Sequence, residues 1–453
     1  MTDHELFPDS YPLDTGGAEW IIRSSRVLTP DGVVAASVHV SGTEIVGVSD
    51  WEEVGDGSAL IDAGDLLVMP GVIDTHVHCN EPGRTEWEGF ETATAAAAAG
   101  GITTILDMPL NSAPATTSRY ALEEKRRASD EKCHVHVGFI GGVVPGNVDE
   151  LARMADGGVR AFKCFLVPSG IPEFPAMTEL DMRKAFPVLA ELGLPLMVHA
   201  EHPKLLYEPP EGGSSRYYDY LVTRPPESES AAIEWLTKLM GDYPVPVHIV
   251  HLSSASSLAI VRNARNRGLP ITVETCPHYL TFAAEEIPDG ATEYKCAPPI
   301  RWSTEREALW QALVDGEIES IASAHSPCLP EMKESGGDFF TAWPGIASLE
   351  LSLPAVWTGA QARGLGVEWI ARWMCESTAM LAGYESHKGR LAPGYDADIT
   401  VWDPEAPFVV DPERMFQRHK STPYAGRELL GVVHQTYVCG RLAFDLHSSD
   451  QEA

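Results

Sequence analysis

The chain of 453 residues is poor in positive charge: 33 lysines and arginines face 65 aspartates and glutamates, a formal charge of −32 at neutral pH. A surface of that sign repels nucleic-acid phosphates and anionic membranes, so neither is expected as a partner. Cysteine is sparse as well. The eight, at positions 79, 133, 164, 276, 296, 328, 375 and 439, include no C-x-x-C pair and no clustered spacing, which excludes a disulfide framework and leaves reduced, mostly buried thiols. No segment has the roughly 18 uninterrupted apolar residues of a membrane span. The opening MTDHELFPDSYPLDTGG has neither the basic nor the apolar region of a secretory leader. A cytoplasmic protein is expected, long enough for a sizeable core and more than one domain.

What is present is organised in three parts. Residues 19–67 carry short alternating apolar runs (EWIIRSSRVL, ASVHVSG, EIVGVSD) broken by Asp-Gly and Gly, a strand-and-turn pattern that residues 391–445 repeat. The two ends are therefore expected to pair into one small β-sandwich, built from residues 1–67 and 391–453. Between them, over 68–390, apolar strands alternate with amphipathic helical stretches, the signature of β-α units on a parallel sheet. Strands are predicted at 71–78, 102–108, 134–140, 159–165, 194–200, 246–252, 271–276 and 319–324. Eight units fit an α/β fold of the TIM-type (β/α)8 barrel; a doubly wound sheet would not explain what stands at the strand ends.

The C-terminal ends of barrel strands are where chemistry is placed. The first strand ends in His76-Val-His78, whose period of two sets both imidazoles on one side, able to grip one ion. Lys163 ends the fourth strand, His199 the fifth and His251 the sixth. Taken singly, each has an ordinary structural reading, such as a satisfied core histidine or a salt-bridged lysine. Four histidines on three strand ends make a metal-holding rim the better account. The pair His134-Val-His136 has the same spacing but opens its strand, so it is read as structural. An ammonium at Lys163 would repel a cation; with a lowered pKa its amine could instead take up carbon dioxide, giving a carbamate able to bridge two metals.

The segments GVIDTHVHCNEPGRTEWEGFETATAAAAAGGITTILDMPLNSAPATT, FKCFLVPSG, VHIVHLSSASS, ETCPHYL, KCAPPIR and HSPC…GDFFTAWPGIASLE…LPAVW closely resemble those of allantoinases, cyclic amidohydrolases of the amidohydrolase superfamily. The resemblance runs from about residue 19 to 446. It implies two divalent ions, zinc first and manganese, cobalt or iron as alternatives. His76 and His78 would hold one ion, His199 and His251 the other, with N-carboxylated Lys163 between them. It further implies a small cyclic ureide as substrate, hydrolysis of allantoin to allantoate, a homotetramer, and a substrate pocket at Asn80, Asn111, Ala297 and Gly345. Dihydroorotases have an arginine at the position of Asn80 for a substrate carboxylate that allantoin lacks. Hydantoinases and dihydropyrimidinases lack the NEPGRTEWEGF run.

One feature departs from the resemblance. In the family, an aspartate stands directly before the His-Ser-Pro of strand eight, binds metal and shuttles the proton; here the residue is Ala324. Ser323 is no acid and alternates to the other face, and Glu319 lies at the strand's beginning. General-base catalysis is worth typically 10²–10⁴-fold, so the chain is expected to fold and bind but to turn over very slowly. With the rest of the set intact, an engineered Asp-to-Ala exchange that traps substrate accounts for this better than natural decay; a non-catalytic scaffold relative is the alternative from another class.

Overall fold

A computed structural model describes residues 19–54 and 59–449; the opening segment read above for a leader lies outside them, as do the ends of the two terminal parts. Sixteen strands alternate with helices among the described residues. The first five are β1 (Glu19–Thr29), β2 (Gly32–Ser41), β3 (Glu44–Asp50), β4 (Ala59–Asp62) and β5 (Leu67–Pro70), and the last three β14 (Ile399–Val409), β15 (Glu428–Val438) and β16 (Arg441–Asp445). As expected, the two chain ends meet, and they do so as one continuous sheet in the order β16-β15-β14-β5-β1-β2-β3, with β4 added beside β1. Alternation makes this possible. Trp20 and Ile22 of β1, Val38 and Val40 of β2 and Ile399 and Val401 of β14 pack into one apolar cluster.

The middle of the chain supplies eight parallel strands: β6 (Val72–Val77), β7 (Ile102–Asp107), β8 (His136–Gly142), β9 (Ala161–Phe165), β10 (Leu196–His199), β11 (Val247–Ile249), β12 (Ile271–Thr275) and β13 (Ser320–Ile321). They pair in chain order from β6 to β13. A parallel bridge between Val77 and His325, with the His78 amide donating to the His325 carbonyl at 2.9 Å, brings the last segment back beside the first. The result is the near-closed (β/α)8 barrel. Its strands are apolar and buried on both faces, as parallel strands wrapped by helices must be.

The helices follow local rules. Over Glu179–Leu192, Thr178 accepts a hydrogen bond from the Asp181 amide while the Asp181 carboxylate reaches back, a capping box, and Gly193 ends the helix in the left-handed region at φ 68°. No helix among the described residues is long and apolar enough to cross a membrane.

Two strands depart from expectation. The third begins at His136 rather than 134, so both His134 and His136 stand at the opening end, away from the cavity described below. The eighth shrinks to two residues. Past Ile321 the amide of Ser323 donates at 3.0 Å to the buried carboxylate of Asp74, so a side chain takes the place of a ladder partner and the strand dissolves early.

The seam between barrel and terminal sheet is held by a buried cation. Lys388 lies 2.8 Å from Asp396 and 2.7 Å from Asp398, and Asp398 in turn accepts the Cys439 amide at 2.8 Å. Replacing Lys388 by methionine leaves two buried carboxylates without their counter-charge, and a loss of about 3–5 kcal/mol is expected in urea unfolding at neutral pH. An unchanged midpoint would show the pair to be dispensable.

Candidate active site

At the C-terminal end of the barrel strands lies a cavity of about 140 Å³. His76, His78, His199 and His251 line it together with Asn111, Ala297, Ala324 and Gly345. Lys163 is in the middle of β9 rather than at its end, 1 % exposed, with its Nζ 5.2 Å from the Phe165 ring centre. His251 lies just beyond β11 in the left-handed region at φ 41°. Two of the expected residues, Lys163 and Asn80, do not line the cavity. Asn80 is fully buried, and its Nδ2 donates to the Pro327 carbonyl at 3.2 Å, tying the first loop to the last, while its Oδ1 has no protein partner.

The histidines are neutral and oriented. Burial first, then the neighbouring histidines and Lys163, pushes His76 down to about 4 and His78 and His251 well below the usual imidazole value. His76 places Nδ1 2.5 Å from the Glu274 carboxylate, and His199 places Nε2 2.6 Å from Glu201. Burial raises each glutamate, but imidazole neighbours, and for Glu201 the Arg224 guanidinium, outweigh it and keep both ionised. A carboxylate on one ring nitrogen fixes the tautomer and leaves the other nitrogen as a lone-pair donor. Arg224 grips both oxygens of Glu201, at 3.0 and 2.5 Å. These carboxylates escaped the sequence reading. Glu201 follows His199 by two, and Glu274 is the one charged residue in the buried strand ITVET, which was the available signal.

Could this group hold divalent ions? As the side chains stand, no three His, Cys, Asp or Glu donors among the described residues converge on one point; the imidazoles pair with carboxylates and with each other. The donor chemistry nevertheless fits. His199 Nδ1 and His251 Nε2 are 3.1 Å apart, close to the roughly 3.3 Å edge that two nitrogens make on one tetrahedral ion with bonds of about 2.0–2.1 Å. Lys163 Nζ is buried with no hydrogen-bond partner, an arrangement that costs stability unless something completes it. Burial also brings its pKa down to about 8, which makes the neutral, nucleophilic amine accessible.

The backbone here is strained. Asn111 at φ 68°, His251 at 41° and Ala324 at 49° all line the cavity in the left-handed region, and Asn80 beside it has φ 62°. Each such residue costs roughly 1–2 kcal/mol, least for asparagine and aspartate. The far wall is locked by Lys333, whose buried ammonium donates to the carbonyls of Lys295, Trp343 and Gly345 at 2.7, 3.0 and 2.5 Å. Gly345 allows the close approach: a Cβ there would stand 2.2 Å from the Ser326 carbonyl oxygen. No aspartate or glutamate lines the cavity among the described residues.

Residues 67–443 match the model of the Amidohydrolase family. The chain is 47 % identical over 423 residues to the allantoinase of Streptomyces avermitilis, covering 93 % of this chain and 94 % of that protein. It is 44 % identical to the allantoinase of Arabidopsis thaliana, covering 95 % and 89 %. Among solved structures, L-hydantoinase (dihydropyrimidinase) from Arthrobacter aurescens superposes with a TM-score of 0.88 at 30 % identity, covering 93 % of this chain and 95 % of that one.

Lys163 supplies a test. Folding lowers its pKa, so the unfolded chain binds the extra proton between about 8 and the ordinary lysine value; the cost is fully present below pH 8 and is relieved as pH rises. In metal-free protein at pH 7, Lys163→Met is expected to raise stability by roughly 1–3 kcal/mol, with the gain shrinking towards pH 10. A destabilised variant at pH 7 would contradict the unpaired-amine account. From its family match and the identity it shares with these relatives, the chain belongs to the amidohydrolase family, within its allantoinase group.

Proposed function

We propose that this site opens the cyclic amide of allantoin to allantoate, with turnover strongly reduced in this chain by Ala324. The observation that carries the reading is the set of four buried imidazoles lining a single cavity, with the unpaired amine of Lys163 behind its Phe165 wall, in a chain 47 % identical to an allantoinase. In this reading His76 and His78 hold one divalent ion, His199 and His251 a second, and Lys163 as its carbamate lies between them. Zinc is the first candidate, and manganese, cobalt or iron also suit imidazole with an oxygen donor. Bound there, the ions would polarise the ring carbonyl and lower the pKa of a water.

The chain's own groups do the rest. Glu274 and Glu201 hold His76 and His199 in the ligating tautomer. Asn111 sets its amide nitrogen 3.3 Å from His78 Nδ1 and borders the substrate space, as does the backbone at Ala297 and Gly345. Asn80 ties the loop to the Pro327 carbonyl through Nδ2, outside the cavity lining. What is missing is a group to accept the water's proton and deliver it to the departing nitrogen. Ser323, the nearest hydroxyl in sequence, is turned away and donates its Oγ towards the His76 carbonyl at 3.4 Å. Glu319 is engaged by Arg265 at 2.6 Å. A homotetramer and a cytoplasmic location belong to the same reading.

Ala324 also favours a second reading, a non-catalytic scaffold relative. Retention of the complete imidazole set weighs against it, because an unpaired buried lysine and three left-handed residues are costly features for a scaffold to keep. The two are separated by comparing the chain with its Ala324→Asp variant, each loaded with zinc or manganese in bicarbonate, following allantoate formation, with hydantoin and a dihydropyrimidine as parallel substrates. The expected result is a rise of at least 10²–10⁴-fold on allantoin for the variant, aided by the ease with which aspartate adopts the left-handed backbone at 324. Two silent proteins with full metal occupancy would favour the scaffold, and a preference for hydantoin would move the substrate assignment.

A further inference from the structure

Three cavity-lining side chains outside the imidazole set of the proposed metal site keep a buried polar atom with no protein partner: the Oδ1 of Asn111, the Nδ1 of His278 and the Nε1 of Trp343. Buried polar atoms are paired in the great majority of cases, so side chains of one cavity wall that forgo protein partners are the ones to ask for a role towards a ligand. His278 is the most telling of the three. It is 2 % exposed, it lines the cavity, and no protein group hydrogen-bonds either of its ring nitrogens. Its ring is nevertheless fixed. It packs edge-on against Tyr279 at 4.3 Å between centres, and the Tyr279 hydroxyl donates to the Pro298 carbonyl at 2.6 Å. An immobilised imidazole with no partner is an expensive thing to bury unless it has a task.

Its chemistry narrows that task. Burial, with His76 and Lys333 nearby, brings its pKa down to about 3, so it is a neutral imidazole with one donor and one acceptor nitrogen. An orphaned buried N–H is rarer than an orphaned acceptor, so Nδ1, sealed from the cavity, is best left bare, and the proton resides on Nε2. The wall beyond is rigid because Lys333 pins the backbone at Trp343 and Gly345.

We propose that His278 is a substrate-positioning residue, donating a hydrogen bond from Nε2 to a carbonyl oxygen of the cyclic ureide, separate from the groups that hold the metal ions. This deepens the allantoinase reading and rests on it. A contact made equally in the bound and reacting states changes KM and leaves kcat nearly alone, and one neutral hydrogen bond corresponds to about tenfold.

The test uses metal-loaded protein carrying Ala324→Asp, with His278→Ala and His278→Gln added separately, measuring kcat and KM for allantoin, metal content and melting temperature. The alanine variant is expected to raise KM about tenfold or more at nearly constant kcat, with metal content and melting temperature preserved. Glutamine, whose amide keeps an N–H donor, is expected to recover most of the loss. An unchanged KM in the alanine variant would overturn the proposal, as would a loss confined to melting temperature or metal content with no recovery by glutamine. If the Ala324→Asp protein with His278 intact does not hydrolyse allantoin at all, it is the allantoinase reading that has failed.

Discussion

The hydrogen bond between Glu274 and His76, 2.5 Å long and wholly buried, is the contact on which the site depends. A bare imidazole in so dry a place could tip either way; with a carboxylate on Nδ1 only one tautomer remains, and the lone pair of Nε2 is committed to the cavity. Glu201 does the same for His199, with Arg224 behind it to balance its charge. The barrel makes both arrangements rigid. Glu274 is on β12 and its oxygens also meet His248 of β11 at 3.1 Å and the His251 amide just beyond β11 at 3.3 Å, so one carboxylate registers donors from β6 and β11.

Against that order, Ala324 is conspicuous as a residue with nothing to offer in a conformation that costs it energy. The position lines the cavity, holds φ 49°, and follows a segment clamped by Asp74 through the Ser323 amide. The surroundings retain everything needed to present a side chain there. In the proposed reading the loss of turnover resides in one missing carboxylate, while the cavity, its buried imidazoles and the pinned far wall stay in place.

Much of this was legible in the sequence for one reason: period. Largely apolar segments of six to eight residues separated by helical stretches predict eight barrel strands, and all eight are present. The H-x-H pair at 76 and 78 and the histidines at 199 and 251 reach one cavity because strand ends in a barrel share a rim. What escaped was non-local. Nothing near Glu274 in the chain announces His76, 198 positions away, and nothing near Asp74 announces Ser323. Nor does the sequence announce that Asn80 donates its Nδ2 to the Pro327 carbonyl, 247 positions away. His278 sat inside a quoted motif and passed unnoticed, since a histidine that makes no protein hydrogen bond has no signature in sequence.

The central claim is that the chain binds its substrate in a complete cavity and lacks only the group that moves the proton. A crystal structure of the metal-loaded chain, grown with bicarbonate and soaked with allantoin, tests it most directly. The account predicts two ions held by the four histidines and a carboxylated Lys163, with an intact hydantoin ring beside Ala324. An unmodified Lys163 with no metal at the histidines would contradict it, and so would ring-opened allantoate in the cavity.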